Sequence, residues 1–140
     1  MGNRNRTKVG IIAGNFDVIH PGYIRLFKDA KNACDHLVIA LQTDSSLERP
    51  EQLKPILSVG ERKEVLLSLV YVDEILTYTT EEELYKLIQA RAPDVRVIGT
   101  DYEGKDFTGK SLTGEIYYHK RDHDWSTTRF KREIAKSLER

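Results

Sequence analysis

Apolar and polar positions follow two alternating rhythms along this chain. Short, mainly apolar segments of strand length occur at Lys8–Ala13, His36–Leu41, Val72–Thr77 and Val95–Gly99, and a fifth at Glu115–His119. Between them apolar residues recur at helical spacing. Gly22–Ala33 sets Ile24, Phe27 and Ala30 on one face, and Val59–Ser68 begins after Ser58 and Glu61, spaced as a capping box. Thr80 and Glu83 repeat that spacing ahead of Leu84, Leu87 and Ile88, Pro93 ends that helix, and Ser126 can cap a last helix through Leu138. The polar stretch Asp101–Thr113 reads as a loop. The order β-α-β-α-β-α-β-β-α predicts an α/β fold: a Rossmann-like parallel sheet of about five strands with helices on both faces. Such sheets bind ligands beyond the carboxyl ends of the strands, where the segments after the first strand, after Gly99 and after His119 would lie.

At 140 residues, with no linker, repeat or low-complexity tract, the chain reads as a single domain, 1–140. Residues 1–7 are expected to form a disordered tail. A hydrophobic fraction of 39% and a charged fraction of 31% favour a folded, soluble protein. Lys plus Arg and Asp plus Glu both number 22, so no net charge pulls the chain toward nucleic acid or a membrane surface. The longest apolar stretches fall far short of the ~20 residues that span a bilayer, and the run after the basic N-terminus is too short for a signal peptide. The single cysteine, Cys34, excludes an internal disulfide or a Cys-based zinc cluster; it is expected to pack at the end of the first helix, in a cytoplasmic protein.

Three segments could carry chemistry. Gly14-Asn-Phe-Asp-Val-Ile-His-Pro-Gly-Tyr23 follows the first strand as a tight turn, then a histidine, then a proline and glycine where a helix begins. Backbone N–H groups so placed can face phosphates. Taken singly, Gly14 is a turn glycine and His20 a surface histidine; the order of all the parts is what points to a phosphate site. Ser126-Thr-Thr128, with Arg121 before it and Arg129 and Lys131 after it, is either an N-capped basic surface helix or a hydroxyl-rich helix start that grips phosphates. Gly99–Lys105 is the third, a strand-end loop. A redox dinucleotide enzyme is a poor reading, because no G-x-G-x-x-G follows the first strand.

Gly-Asn-Phe-Asp, then His20-Pro-Gly22-Tyr23 and a helix, resembles the H-x-G-H nucleotidyltransferase superfamily, with Tyr23 where the second histidine is expected. Arg121, five residues before Ser126-Thr-Thr128, is similar to a second family motif, although the usual Gly-Ile before the serine is Asp124-Trp125 here. Gly99-Thr-Asp-Tyr-Glu-Gly-Lys105, Tyr71–Ile75, Glu61–Lys63 and Leu41–Asp44 look like segments of the glycerol-3-phosphate cytidylyltransferase family. The resemblance runs from Lys8 to Ile134. Heptose-phosphate adenylyltransferases share the architecture, but an arginine at position 121 is more like the cytidylyl branch.

The resemblance implies transfer of a CMP group from CTP to a small phosphorylated acceptor, glycerol 3-phosphate or a similar polyol or sugar phosphate, with release of pyrophosphate. It implies His20, Lys54 and Arg121 as catalytic residues, Lys54 lying in a flexible loop over the triphosphate. It implies nucleotide contacts from Gly14, Asn15, Phe16, His20, Gly22, Tyr23, Asp101, Arg121, Ser126, Thr127 and Thr128. Arg62 is either a further nucleotide contact or a helix-surface charge. Mg²⁺ would bind mainly through the triphosphate, with no protein metal site; Asp17 would stabilise its turn. A homodimer is implied, with no nucleic-acid or membrane partner. Tyr23 can donate a hydrogen bond but cannot become a cation near neutral pH, and it is expected to face the site while Ile24 and Phe27 supply the core. Asp124 would bring negative charge near the phosphates. Two alternatives stay open: an adenylyltransferase using ATP with a sugar phosphate, and a nucleotide-binding protein with reduced transferase activity.

Overall fold

A computed structural model describes residues 6–139. Five strands, β1 (Val9–Gly14), β2 (His36–Gln42), β3 (Glu74–Tyr78), β4 (Val95–Gly99) and β5 (Glu115–His119), form one parallel sheet in the order β3-β2-β1-β4-β5. The connections carry α1 (Pro21–Ala30), α2 (Val59–Leu67) and α3 (Glu81–Arg91), and α4 (Thr127–Ser137) follows β5. Successive strand residues point to opposite faces. On one face Ile12, Leu37, Ile39 and Leu41 pack with Phe27 of α1 and Leu66 of α2. On the other, Ile11, Val38 and Ala40 pack with Leu84 and Ile88 of α3. The expected parallel sheet covered on both faces is therefore the one observed. Its order reverses at β1, which pairs Ile12 with Ile39 of β2 on one side and Gly10 with Val95 of β4 on the other. A crevice opens beyond the strand ends at such a point.

Local chemistry sets the helix ends. Pro21 occupies the first position of α1, where a missing N–H costs nothing. Ser58 and Glu61 make the expected capping box of α2, and Thr80 caps α3 ahead of Glu81, Glu82 and Glu83, whose charges suit the positive end of the helix dipole. Ala92, left-handed at φ 51°, turns the chain out of α3 before Pro93.

Two boundaries differ from the sequence reading. The first helix ends at Ala30 because the N–H groups of Asn32 and Ala33 turn back to Asp29 and Ala30, a tight turn that buries Ala33 and Cys34. Cys34 packs, as expected, so closely that a Cβ at Gly10 would lie 2.8 Å from its Sγ. The third strand starts at Glu74, because the Asp73 carboxylate accepts the Leu37 N–H (2.8 Å) in place of a ladder partner. Short 3₁₀ turns punctuate the loops at Ser45–Leu47, Thr100–Tyr102 and Lys110–Leu112. Of the expected tail, residues 1–5 lie outside the described residues, and Arg6 is ion-paired with Asp94.

Candidate functional site

The turn after β1 is built by packing. A Cβ at Gly14 would come within 2.7 Å of the Phe16 ring, so only glycine fits. Phe16 sits at φ 46°, a conformation costly for a bulky residue; the buried ring meets Tyr23 and Phe27 edge-on, with centroids 5.1 and 5.4 Å away. Gly14 and Phe16, expected to touch nucleotide, line neither cavity described below: they shape the turn instead.

Asp17 is buried and ties three segments together. Its carboxylate accepts the N–H groups of Ile56 (2.7 Å) and Leu57 (2.9 Å), and it pairs with Lys131 Nζ of α4 at 2.6 Å. Burial alone would raise its pKa, but Lys131 and the two amides outweigh burial and hold the carboxyl below its ordinary value.

Arg62 fits neither expected role. It is 1% exposed, and its guanidinium donates to carbonyl oxygens of Leu57, Asn15, Gln42 and Thr43 and to Asn15 Oδ1. Those acceptors take up its fork, so it clamps the β1 turn to the end of β2 rather than facing nucleotide or solvent. Asn15, fixed by this clamp, lines the larger of the two cavities.

His20 is 4% exposed and caps α1 through its ring, with Nδ1 accepting the Gly22 N–H at 3.1 Å. That bond puts the ring proton on Nε2, which is buried without a partner. Burial, then the neighbouring His123 and Arg121, lower the His20 pKa, so the ring is neutral near pH 7 with one free N–H. It stacks on Tyr23 with centroids 4.1 Å apart. At Gly22 a Cβ would strike the rings of His123 and His20 and the Cβ of Trp125, all within 2.9 Å, so the H-x-G glycine lets the loop before α4 close over α1.

A cavity of about 280 Å³ opens beside this ring. His20, Gly22 and Tyr23 line it from α1, and Ser126, Thr127 and Thr128 from the start of α4. Arg121 and Asp101 line it too. Ser126 caps α4 by accepting the Arg129 N–H (3.1 Å), and the Arg121 guanidinium donates to the Trp125 carbonyl. A second cavity of about 610 Å³ shares Tyr23, Thr127 and Thr128 with the first, and Asn15, Lys131 and Arg132 also line it.

Tyr23 lines both cavities and also joins the core that Ile24 and Phe27 were expected to supply. Its ring packs against the core while its hydroxyl hydrogen-bonds Thr127 Oγ1, joining α1 to α4 where the cavities meet. Lys54, by contrast, is exposed and lines neither cavity, although Glu51, Gln52 and Leu53 of the same segment do. The cations lining the second cavity are Lys131 and Arg132. Asp124 also departs from expectation: its side chain is 84% exposed, paired with Arg129, and outside both cavities. His123, Trp125 and His119 line the first cavity without having been singled out as site residues. Lys131 was legible in principle, standing one helical turn beyond Thr127; His123 and Trp125 lie in irregular backbone that no periodicity marks. No cluster of three or more His, Cys, Asp or Glu side chains able to hold a metal occurs among the described residues, and none of their helices is long and apolar enough to cross a membrane.

A parallel sheet with its ligand crevice at β1, a neutral histidine with a free N–H and a hydroxyl-rich helix start together define a nucleotide-binding α/β domain of the H-x-G-H kind. The cytidylyltransferase-like family matches residues 11–133, and the chain belongs to that family. It is 38% identical over 125 residues to the glycerol-3-phosphate cytidylyltransferase of Bacillus subtilis (strain 168), covering 89% of this chain and 95% of that protein. It is 42% identical over 96 residues to the bifunctional protein HldE of Caulobacter sp. (strain K31), covering 68% of this chain. The chain spans about a fifth of the length of the HldE proteins it matches, 20% in this case. The lipopolysaccharide core biosynthesis protein of Thermoplasma volcanium GSS1 shares the fold, with TM-score 0.67 and 23% identity over 83% of this chain and 99% of that one.

Proposed function

We propose that this chain is a cytidylyltransferase that moves a CMP group from CTP to a small phosphorylated acceptor. The observation that carries this reading is the His20 Nε2–H, buried, neutral and unpartnered beside a cavity also lined by Arg121 and the start of α4. An acceptor phosphate oxygen attacks the α-phosphorus of CTP. The new P–O bond forms as the bond to the bridging oxygen breaks, and pyrophosphate leaves with that electron pair. The nucleophile is already an anion, so catalysis rests on positioning and charge stabilisation. His20 Nε2–H donates to the α-phosphate oxygens as charge shifts onto them. The N–H groups at the start of α4, with Thr128 and Arg121, hold the rest of the triphosphate.

The carboxylate nearest the turn, Asp17, is already taken up by Lys131, Ile56 and Leu57. In this reading Mg²⁺ enters as part of the substrate, held mainly by the triphosphate. We propose a cytoplasmic homodimer, which sedimentation at micromolar concentration tests directly.

Pyrophosphate release with CTP, ATP, GTP and UTP, each against a panel of phosphorylated acceptors, tests the reaction. CTP should support turnover well above the other three. Preference for ATP would make the chain an adenylyltransferase, and tight CTP binding without turnover on any acceptor would make it a binding protein on an enzyme scaffold.

A further inference from the structure

On the opposite face of the sheet from α1, a third cavity of about 310 Å³ is lined by Ala13 at the end of β1 and Ile98 at the end of β4. The next residue, Gly99, lines the His20 cavity. The two hollows thus adjoin at the end of β4, and the third also reaches the end of β1. Within the third lies Arg96, a residue the proposed chemistry does not use. It is 4% exposed, forms no ion pair among the described residues, and keeps a buried Nε without a partner. Its Nη1 donates to the Thr108 carbonyl at 2.6 Å, and its guanidinium lies 5.1 Å from the centroid of Phe107.

A buried charge this poorly satisfied is costly unless something else binds it. The remaining lining indicates what that is. Arg49 pairs with Glu81 at 3.4 Å, Glu81 also accepts from Thr108 Oγ1 at 2.8 Å, and Asp106 lines the cavity with no hydrogen bond of its own among the described residues. Two arginines balance two carboxylates, so this is no trap for a free anion. Interleaved donors and acceptors beside Phe107 and Tyr102 suit hydroxyl groups and the C–H faces between them.

We propose that this cavity seats the polyhydroxylated body of the acceptor, a phosphorylated sugar or sugar alcohol of five or more carbons, with Arg96 as the specificity-determining donor. The inference rests on the transferase reading, since the acceptor's phosphate must pass the end of β4 to reach the α-phosphorus in the His20 cavity. Size agrees: the volume equals roughly ten waters at about 30 Å³ each. A five-carbon polyol body has about that many non-hydrogen atoms, while a glycerol body would leave almost half the space to solvent.

Calorimetric titration with ribitol 5-phosphate and with glycerol 3-phosphate, with and without α,β-methylene-CTP, tests this. Ribitol 5-phosphate should bind at least tenfold more tightly than glycerol 3-phosphate. Arg96→Gln and Asp106→Asn should each weaken ribitol 5-phosphate about ten- to hundredfold, the range for a hydrogen bond to a charged group, without changing affinity for the CTP analogue. Should Arg96→Gln fail to fold, the exposed Asp106→Asn decides. Equal affinity for the two polyol phosphates, or variants that weaken the CTP analogue instead, would overturn the assignment. Loss of the cytidylyl reading looks different: the polyol preference persists while the protein binds no CTP analogue.

Discussion

Replacing Asp17 by asparagine should be among the most damaging isosteric changes available to this fold. The native carboxylate is wholly buried and receives three donors, two amides and the Lys131 ammonium, which is itself only 12% exposed. In Asp17→Asn one oxygen can still accept from one amide. The new NH₂ then faces a second donor, and Lys131 loses its counter-charge in a largely dry setting. Removing one member of a buried ion pair costs about 3–5 kcal/mol, against a total domain stability of roughly 5–15 kcal/mol. For a chain of this size that is a fall in Tm on the order of 10–20 °C. Thermal and urea unfolding followed by circular dichroism measure it. The double variant Asp17→Asn/Lys131→Met should recover part of the loss, since both partners are then gone. A single-variant loss below about 1 kcal/mol would refute the reasoning, showing that Asp17 does not anchor the Ile56–Leu57 segment and α4.

His20→Ala should cost about 10²–10³ in turnover, the usual effect of losing one transition-state donor, with a smaller change in CTP affinity; equal turnover in mutant and parent would remove His20 from the chemistry. CTP at 100 times its dissociation constant should stabilise the fold by about 2.7 kcal/mol, read as a thermal shift absent with GTP and UTP. Acid should destabilise the protein in two stages. The pKa values of Asp17, Asp29 and Asp73 are held down by their partners against burial, and that of Glu74 chiefly by Arg91. Their stabilisation is full above the unfolded carboxyl values of about 4 and is lost as pH falls through the folded ones. His20 and His123, lowered mainly by burial, oppose protonation in the fold and so begin the loss earlier, below about pH 6.5. A urea midpoint that holds constant or rises from pH 7 to pH 5 would contradict this. Tyr23→Phe should keep the fold but lose the bond to Thr127, worth about 0.5–1.5 kcal/mol, and lower turnover; urea titration and steady-state kinetics on one preparation check both.

The fold was legible because its signals are local. Apolar runs such as Val95–Gly99, the Ser58/Glu61 box and the Thr80 cap need only their neighbours to form, and all stand where the sequence puts them. Boundaries failed where a distant group intervenes. Nothing near Val72 shows that Asp73 will take the N–H of Leu37 and delay the third strand. Nothing in Gly22–Ala33 shows that Cys34 must tuck against Gly10 and so tighten the last turn.

The site divides along the same line. Residues whose role depends on backbone geometry, His20 and Gly22 with Ser126 to Thr128, could be read from motif and spacing, and the structure gathers them around one cavity. Cations could not be read this way, because a long side chain reports its charge but not its direction. Lys54 has the expected position in the chain but is exposed and lines neither cavity. Arg62, on a helix between polar neighbours, is spent on four carbonyls. Lys131 turns inward to Asp17. Tyr23 shows why the missing second histidine need not open the site. A histidine there would offer a charge; the tyrosine offers reach, and its hydroxyl meets Thr127 and ties α1 to the start of α4. Whatever moves α4 must therefore break or carry the bond between Tyr23 and Thr127.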